Sequence, residues 1–281
     1  MHAPISGPAF VSLEALADRI PDGARIALPA DYSGCAMSAV RALIARPARG
    51  LRIVSVPQGG FQVDMLIGAG CVAEVEAAAV TLGEHGLAPR FTAAIKGGAL
   101  RMKDATCPAI HAGLQAAEKG VPFMPLRGIV GSDLTRVRPD WKVIDNPLAE
   151  NGTRDPIVLL PAIKPDITLF HVARADAHGN VWVGVQRELM TMAHAARQTF
   201  VTAERIEDTN FLRDPALAAG TIPALYVSAI AEAKNGAWPV GLDNAYPPDR
   251  SALRDYTAAA ATADRFARWM AAHADGALQR A

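Results

Sequence analysis

The sequence is short of the residues that build metal centres and covalent frameworks. Cysteine occurs three times in 281 residues, at Cys35, Cys71 and Cys107. An odd number without CxxC spacing excludes a disulfide framework and a zinc knuckle, and fits a reducing compartment. The seven histidines include no HxH or HxxxH pair, so no metal site is expected. No apolar run reaches the roughly 18 residues that span a bilayer, and the opening MHAPISGPAF lacks a basic region followed by an apolar one. These absences predict a soluble cytoplasmic protein. Charge of one sign is missing too: 28 basic side chains balance 28 acidic ones, leaving no bulk field to draw nucleic acid or an anionic membrane. Neither GxGxxG nor GxxxxGK[ST] occurs between a strand and a helix, which excludes those nucleotide-binding loops.

What is there is an alternation. Apolar residues make up 51% of the chain and charged residues 20%, ample for the core of one large domain, here 1–281. Short β-branched runs alternate with alanine-rich helical stretches, the pattern of βαβ units. The fold class predicted is α/β, an open, mostly parallel sheet flanked by helices. Ser12 caps a helix LEALADRI, which Pro21, Asp22 and Gly23 end before the strand RIAL. The helix AMSAVRALIA and the strand LRIVSV follow. VPFMPLR, PIVLLPA, DITLFHV and NVWVG read as strands partly buried on both faces. RELMTMAHAAR reads as a helix, TFVTAERI as a strand, and SALRDYTAAAATADRFARWMAAHADGAL as one long helix or a pair. Residues 136–154, with Pro139, Pro147 and AENGTRDP, read as a long surface loop.

In open α/β sheets ligands bind beyond the carboxyl ends of strands. Three such ends carry small residues that admit a ligand to the backbone: DYSGCAM with Ser33 and Gly34, QGG with Gly59 and Gly60, and GIVGSDL with Gly128, Gly131 and Ser132. Arg127 precedes the last of these. Its guanidinium would grip a carboxylate or phosphate by two parallel hydrogen bonds, or else pair with Asp133 or a carbonyl. RADAHGNVWVG reads as a hairpin in which Asp176 and Asn180 bond the turn backbone and Gly179 supplies positive φ. In DATCPAIHAGLQAAEKG, Pro108 suits the first helical position and Cys107 the N-cap, with Gly120 ending the helix. The dipole at that end favours negative charge and would lower a thiol pKa. A small inert cysteine with Thr106 or Asp104 as the cap is the other reading. His111 and Gln115 read as a polar helix face, and His171 as a core or strand-edge histidine.

The ordered segments LPADYSG, MLIGAGCV, TLGEHGLAPRF, GLQAAEKGVPFMPLRGIVGSDL, PIVLLPAIKPDITLFHVARADAHGNVWVG and FVTAERI resemble the A (alpha) subunit of family I coenzyme A transferases, glutaconate-CoA-transferase-like members especially. The likeness runs from about Ile26 to Ile230. It implies an open α/β subunit and a B subunit of related fold in a hetero-oligomer, with the active site between them. A coenzyme A thioester is then the substrate, no cofactor is tightly bound, and a glutamate of B is the nucleophile, which splits acyl transfer into two easier steps. Under the same resemblance the substrate-binding set is Ser33, Gly34, Gly59, Gly60, Glu84, Arg127, Gly128, Gly131 and Ser132, with Arg127 and Cys107 as catalytic candidates. Glu150, in AENG, imitates a B-subunit motif but falls in a polar loop and is read as a decoy.

Two departures bear on function. LPADYSG stands where A subunits often carry a GGFG-like loop. In the related two-subunit steroid ring-opening hydrolases, a glutamate begins the helix before the GLQAA-like segment; the matching position here is Cys107, and their PFLPIR arginine falls on Arg127. The expected function is therefore the A subunit of an acyl-CoA:carboxylate CoA-transferase. The alternatives are one half of a related two-subunit acyl-CoA or β-diketone hydrolase, and a noncatalytic ligand-binding or regulatory subunit.

Overall fold

The computed structural model describes residues 7–46, 48–150, 152–243 and 245–273. Its strands, in chain order, are β1 (Ala9–Phe10), β2 (Arg25–Pro29), β3 (Leu51–Val56), β4 (Val72–Ala77), β5 (Arg101–Asp104), β6 (Phe123–Leu126), β7 (Lys142–Asp145), β8 (Pro156–Pro161), β9 (Ile167–Val172), β10 (Arg174–Asp176), β11 (Val181–Trp182), β12 (Gln198–Ala203), β13 (Ile206–Glu207), β14 (Thr221–Ile222) and β15 (Ala229–Glu232). The helices are α1 (Leu13–Asp18), α2 (Met37–Ala45), α3 (Phe61–Gly68), α4 (Pro89–Lys96), α5 (Cys107–Glu118), α6 (Leu134–Val137), α7 (Arg187–Ala195), α8 (Pro215–Ala218), α9 (Arg250–Ala260) and α10 (Ala263–Ala272).

An eight-stranded sheet in the order β1-β15-β12-β9-β2-β3-β4-β5 organises the molecule. Every neighbouring pair in it is parallel. Successive side chains of a strand point to opposite faces, so each central strand feeds two cores. Ile26, Leu28, Ile53 and Leu169 pack on one face with Leu43 of α2, Leu66 of α3, Tyr256 of α9 and Trp269 of α10. Ala27, Val54 and Phe170 pack on the other with Ile110 and Leu114 of α5 and Leu189 and Met192 of α7. All six residues of β9 are buried, and the four apolar ones among them, Ile167, Leu169, Phe170 and Val172, give DITLFHV its strand signal.

The strand order decides where a ligand can enter. From β2 the chain steps outward through β3, β4 and β5, then returns to the other side of β2 at β9 and steps outward again through β12 and β15. The connections therefore diverge between β2 and β9, opening a crevice beyond the carboxyl ends of those two strands.

Between β5 and β9 the chain makes an excursion, the antiparallel sheet β6-β8-β7. Here two expectations fail. VPFMPLR is not buried on both faces: β6 is an edge strand whose residues are exposed or half-buried. The segment 136–154 is not all loop, because β7 pairs along β8 and leaves Val143 and Ile144 exposed. Ion pairs fasten the excursion to the main sheet. Glu76 of β4 binds Arg25 at 2.5 Å and Arg138 at 2.7 Å, and Arg138 also donates to the Asp104 carbonyl at 2.8 Å. NVWVG contributes only two strand residues, β11, to a small four-stranded sheet. The hairpin before it forms as read: Asp176 Oδ1 accepts from the His178 and Asn180 amides, and Gly179 has φ of 87°. The C-terminal helical stretch is a pair, α9 and α10, and its residues 274–278 lie outside the described residues.

Candidate active site

Residues 30–35, which leave β2, form one wall of the crevice. Ser33 turns back through its amide to the Ala30 carbonyl, and Gly34 (φ 83°) presses on β9. The His171 amide donates to the Gly34 carbonyl at 2.7 Å, and a Cβ on Gly34 would lie 2.2 Å from the His171 carbonyl oxygen. Only glycine fits there. The turn buries Ser33 to 1% exposure while leaving Tyr32 58% exposed over the opening.

The opposite wall comes from the stretch after β11 and from α7. The Ser33 hydroxyl donates to the Glu188 carboxylate in the first turn of α7, where the helix dipole favours negative charge. Gln186 donates to the Tyr32 carbonyl at 3.3 Å and to Asp243 at 3.2 Å, tying both walls to the loop 241–243. The cavity so enclosed is about 100 Å³ and is lined in part by Ser33, Gly34, His171, Trp182, Leu189 and Leu242. Burial, then the charges of Glu188 and Cys107, push the Tyr32 phenol up, so it stays protonated. Burial pushes His111 down, and Glu188 opposes that. Glu188 of α7 is thus near enough to act on both Tyr32 of the β2 loop and His111 of α5.

Cys107 is exposed, but it is not the N-cap. Thr106 is, its hydroxyl accepting from the Ala109 amide, so Cys107 and Pro108 are the first two helical residues. A threonine oxygen satisfies an unpaired helix N–H better than a thiol does. Cys35 and Cys71 are buried, and burial pushes the Cys35 thiol well up.

Beside the crevice, Gly59, Gly60 and Glu84 line a second cavity of about 420 Å³, together with Asp31 and Tyr32. Asp31, half-buried at this second cavity, accepts from the Phe61 amide at 3.1 Å with both oxygens and so caps α3. Burial pushes its carboxyl up to about 6 despite that hydrogen bond. Glu84 is exposed between His85 at 3.8 Å and Arg250 at 3.7 Å.

Behind the crevice, His171 is held at both ring nitrogens, by Thr202 at 2.8 Å and Glu204 at 2.7 Å. Glu204 also accepts from Tyr246 at 2.7 Å and from the Asn235 and Gly236 amides at 2.7 and 3.0 Å. Burial pushes Glu204 up, but these hydrogen bonds outweigh it and hold the carboxyl below its ordinary value. The loop carrying Leu242 and Asp243 is thereby pinned to the sheet end.

The sequence-predicted residues divide into three groups. Ser33 and Gly34 line the crevice, and Gly59, Gly60 and Glu84 line the adjoining cavity. Arg127, Gly128, Gly131 and Ser132 line neither. Arg127 is exposed and forms a two-point pair with Asp155 at 2.9 and 2.5 Å, whereas Asp133 pairs with Arg136. Ser132 bonds the Ile129 carbonyl at 2.8 Å. Glu150 is exposed in the loop after β7. Sequence reading missed Asp31, Tyr32, Glu188 and Glu204. The signal for Asp31 was an acidic residue directly after a strand; for Glu188 it was an acidic residue opening a helix just after the hairpin. Among the described residues no group of His, Cys, Asp or Glu is arranged to hold a metal ion, and no helix is long and apolar enough to cross a membrane.

A doubly wound α/β subunit with a part-open crevice at its switch point is thus defined. Residues 12–233 match the family model described as coenzyme A transferase, and the chain belongs to that family. It is 28% identical to the A component of the 3-oxoadipate CoA-transferase of Pseudomonas knackmussii, over 92% of this chain and 90% of that one. It is likewise 28% identical to the cholesterol ring-cleaving hydrolase IpdA subunit of Rhodococcus jostii, over 85% and 82%. A 30% identical protein of Archaeoglobus fulgidus matches 87% of the chain, which spans only 54% of that relative's length. Among solved structures, the glutaconate coenzyme A-transferase of Acidaminococcus fermentans superposes with a TM-score of 0.86 at 26% identity, covering 94% of this chain and 88% of that one. A single-residue variant of the decarboxylase AibA/AibB superposes with 0.83 at 28% identity, covering 95% and 98%.

Proposed function

We propose that the chain is the A subunit of a two-subunit acyl-CoA:carboxylate CoA-transferase, a cytoplasmic hetero-oligomer of single-domain subunits in which the B subunit supplies the nucleophilic glutamate. One observation carries the second half of this reading. Among the described residues, the carboxylates that line the crevice and the cavities beside it have partners within the chain: Asp31 accepts from the Phe61 amide, Asp243 accepts from Gln186, and Glu84, though exposed, lies 3.7 Å from Arg250. Glu188, at the crevice, holds the Ser33 proton. A carboxylate committed to such donors is a poor nucleophile, so the attacking group comes from outside this chain.

The chemistry then runs as two acyl exchanges. The glutamate of B attacks the thioester carbonyl and expels coenzyme A as thiolate, leaving an acyl-glutamyl anhydride. The thiolate attacks the glutamyl carbonyl, releasing the first carboxylate and leaving a glutamyl-CoA thioester. The acceptor carboxylate reverses both steps. This chain supplies the wall against which the acyl group lies, and Tyr32, kept protonated, is the exposed donor at its opening for the oxyanion. Gly59, Gly60 and Glu84 are proposed to face the coenzyme from the second cavity, and the Arg127–Ser132 loop to face B. The hydrolase alternative is less well supported, because α5 opens on Cys107 and has no acidic residue in its first turn.

Mixing the purified chain with a B-type chain of the same family from the same source tests the reading. The pair should transfer coenzyme A with ping-pong kinetics, borohydride should trap the thioester on B, and the chain alone should be inert. Robust transfer by this chain without a second would overturn it.

A further inference from the structure

The crevice is small, apolar and without a cation. Its apolar wall includes Val172, Ala173, Trp182, Val183, Leu189 and Leu242, its uncharged polar lining is Tyr32, Ser33 and Gln186, and His171 and Asp243 line it too. His171 has both nitrogens occupied by Thr202 and Glu204, so it offers no donor to a ligand. Asp243 lines it with a carboxyl that accepts from Gln186, and Glu188 puts a second carboxyl beside Ser33. Among the described residues no lysine or arginine lines it.

We infer that this crevice is the acyl-chain subsite of the transferase, and that it selects short, uncharged acyl groups over those ending in a second carboxylate. The inference rests on the transferase reading and deepens it. Size sets the length: a dry cavity of about 150 Å³ accepts benzene, with its six carbons, and the volume here is about 100 Å³. By proportion it accommodates about four carbons. Charge sets the second preference. A terminal carboxylate buried there would lose its water, meet no cation from this chain, and face Asp243 and Glu188; burial of an unpaired ion is prohibitive. The acids in the names of two relatives, 3-oxoadipate and glutaconate, are dicarboxylic. This chain's subsite is built against that class.

The experiment uses the assembled pair and a series of thioesters: acetyl-, butyryl-, octanoyl- and glutaryl-CoA. Because one misfit methylene in an apolar pocket costs roughly tenfold or more, kcat/KM should peak at butyryl and fall at least about tenfold for both octanoyl and glutaryl. Ala173 stands half-buried on the wall. Ala173→Leu should depress butyryl transfer about tenfold and spare acetyl, with melting temperature and assembly unchanged. Direct binding of butyrate and glutarate to the pair, followed by ligand-observed NMR, separates the two readings. Butyrate-selective binding without any coenzyme A transfer overturns the transferase reading and keeps the subsite. Transfer that ranks glutaryl with butyryl, or an equal loss at every chain length in a stable Ala173→Leu pair, overturns the subsite and keeps the transferase. If Ala173→Leu does not assemble, the length and charge profile of the wild-type pair decides alone.

Discussion

Asp31 occupies the space that a side chain on Gly60 would need. A Cβ built on Gly60 would lie 1.9 Å from Asp31 Oδ2, while the next amide, Phe61, donates to both Asp31 oxygens. Gly60→Ala must therefore expel Asp31 from the start of α3. Losing a helix N-cap costs about 1–2 kcal/mol, and the second cavity, which both residues line, should deform with it. A fall in urea midpoint with unchanged m-value measures the first effect. Wild-type stability in Gly60→Ala would contradict the packing.

The same carboxyl gives stability a pH signature. Asp31 holds its proton up to about 6 in the folded chain against an ordinary value of 3.8. The folded state thus binds that proton more tightly than the unfolded state, and stability falls as pH rises between those values. Asp31→Asn removes the titration. Relative to that variant, the wild type should lose stability from about pH 4 to about pH 6 and run parallel above it, as read by chemical denaturation at each pH.

Ser33 and Glu188 meet across the crevice, and a hydrogen bond to a charged group contributes roughly 1.5–3 kcal/mol. Ser33→Ala and Glu188→Gln should each lower kcat/KM of the assembled pair by about tenfold or more. The double variant should do little worse than either, because one interaction is removed twice. Additive losses would show that the two side chains act separately.

Thiol chemistry distinguishes Cys107. It is exposed, whereas Cys35 and Cys71 are buried. A disulfide reagent should modify one of the three cysteines rapidly in the native chain and all three in denaturant. If the start of α5 faces the B subunit or the bound thioester, adding B and an acyl-CoA should slow that first modification. Two fast thiols in the native protein would place another cysteine at the surface.

Arg127 and Asp155 form one unit, with both guanidinium contacts on a single carboxylate. Arg127→Met and Asp155→Asn should therefore have matching effects on the pair's kinetics, and the double variant should add nothing. A loss confined to Arg127→Met would mean that the guanidinium leaves Asp155 for the substrate.

The strands legible in sequence were those whose burial is continuous. DITLFHV and LRIVSV lie deep in the parallel sheet, so Ile, Leu, Val and Phe dominate them. KVID gave no such signal, because β7 is an exposed edge strand held by backbone pairing. The loops after β2 and β3 were legible as small residues at strand ends, and they do line the cavities. Glu188 was not, since its partner Ser33 lies 155 residues away. Only the strand order brings α7 to the end of β2. Cys107 shows the local limit: proline marked the helix start to within one residue, but Thr106 won the cap by hydrogen bonding.

The pairing of β1 with β15, Ala9 beside Ala229, sets an order on synthesis. As the chain leaves the ribosome, its first strand has no edge to join until β15 has been made, and it must travel as an unattached leader on a growing body. The face of β2 and β3 that α2 and α3 cover first is completed as late, by Tyr256 and Trp269 of α9 and α10. The edge at β15 and the last part of that core thus close together, at the end of folding rather than at its start.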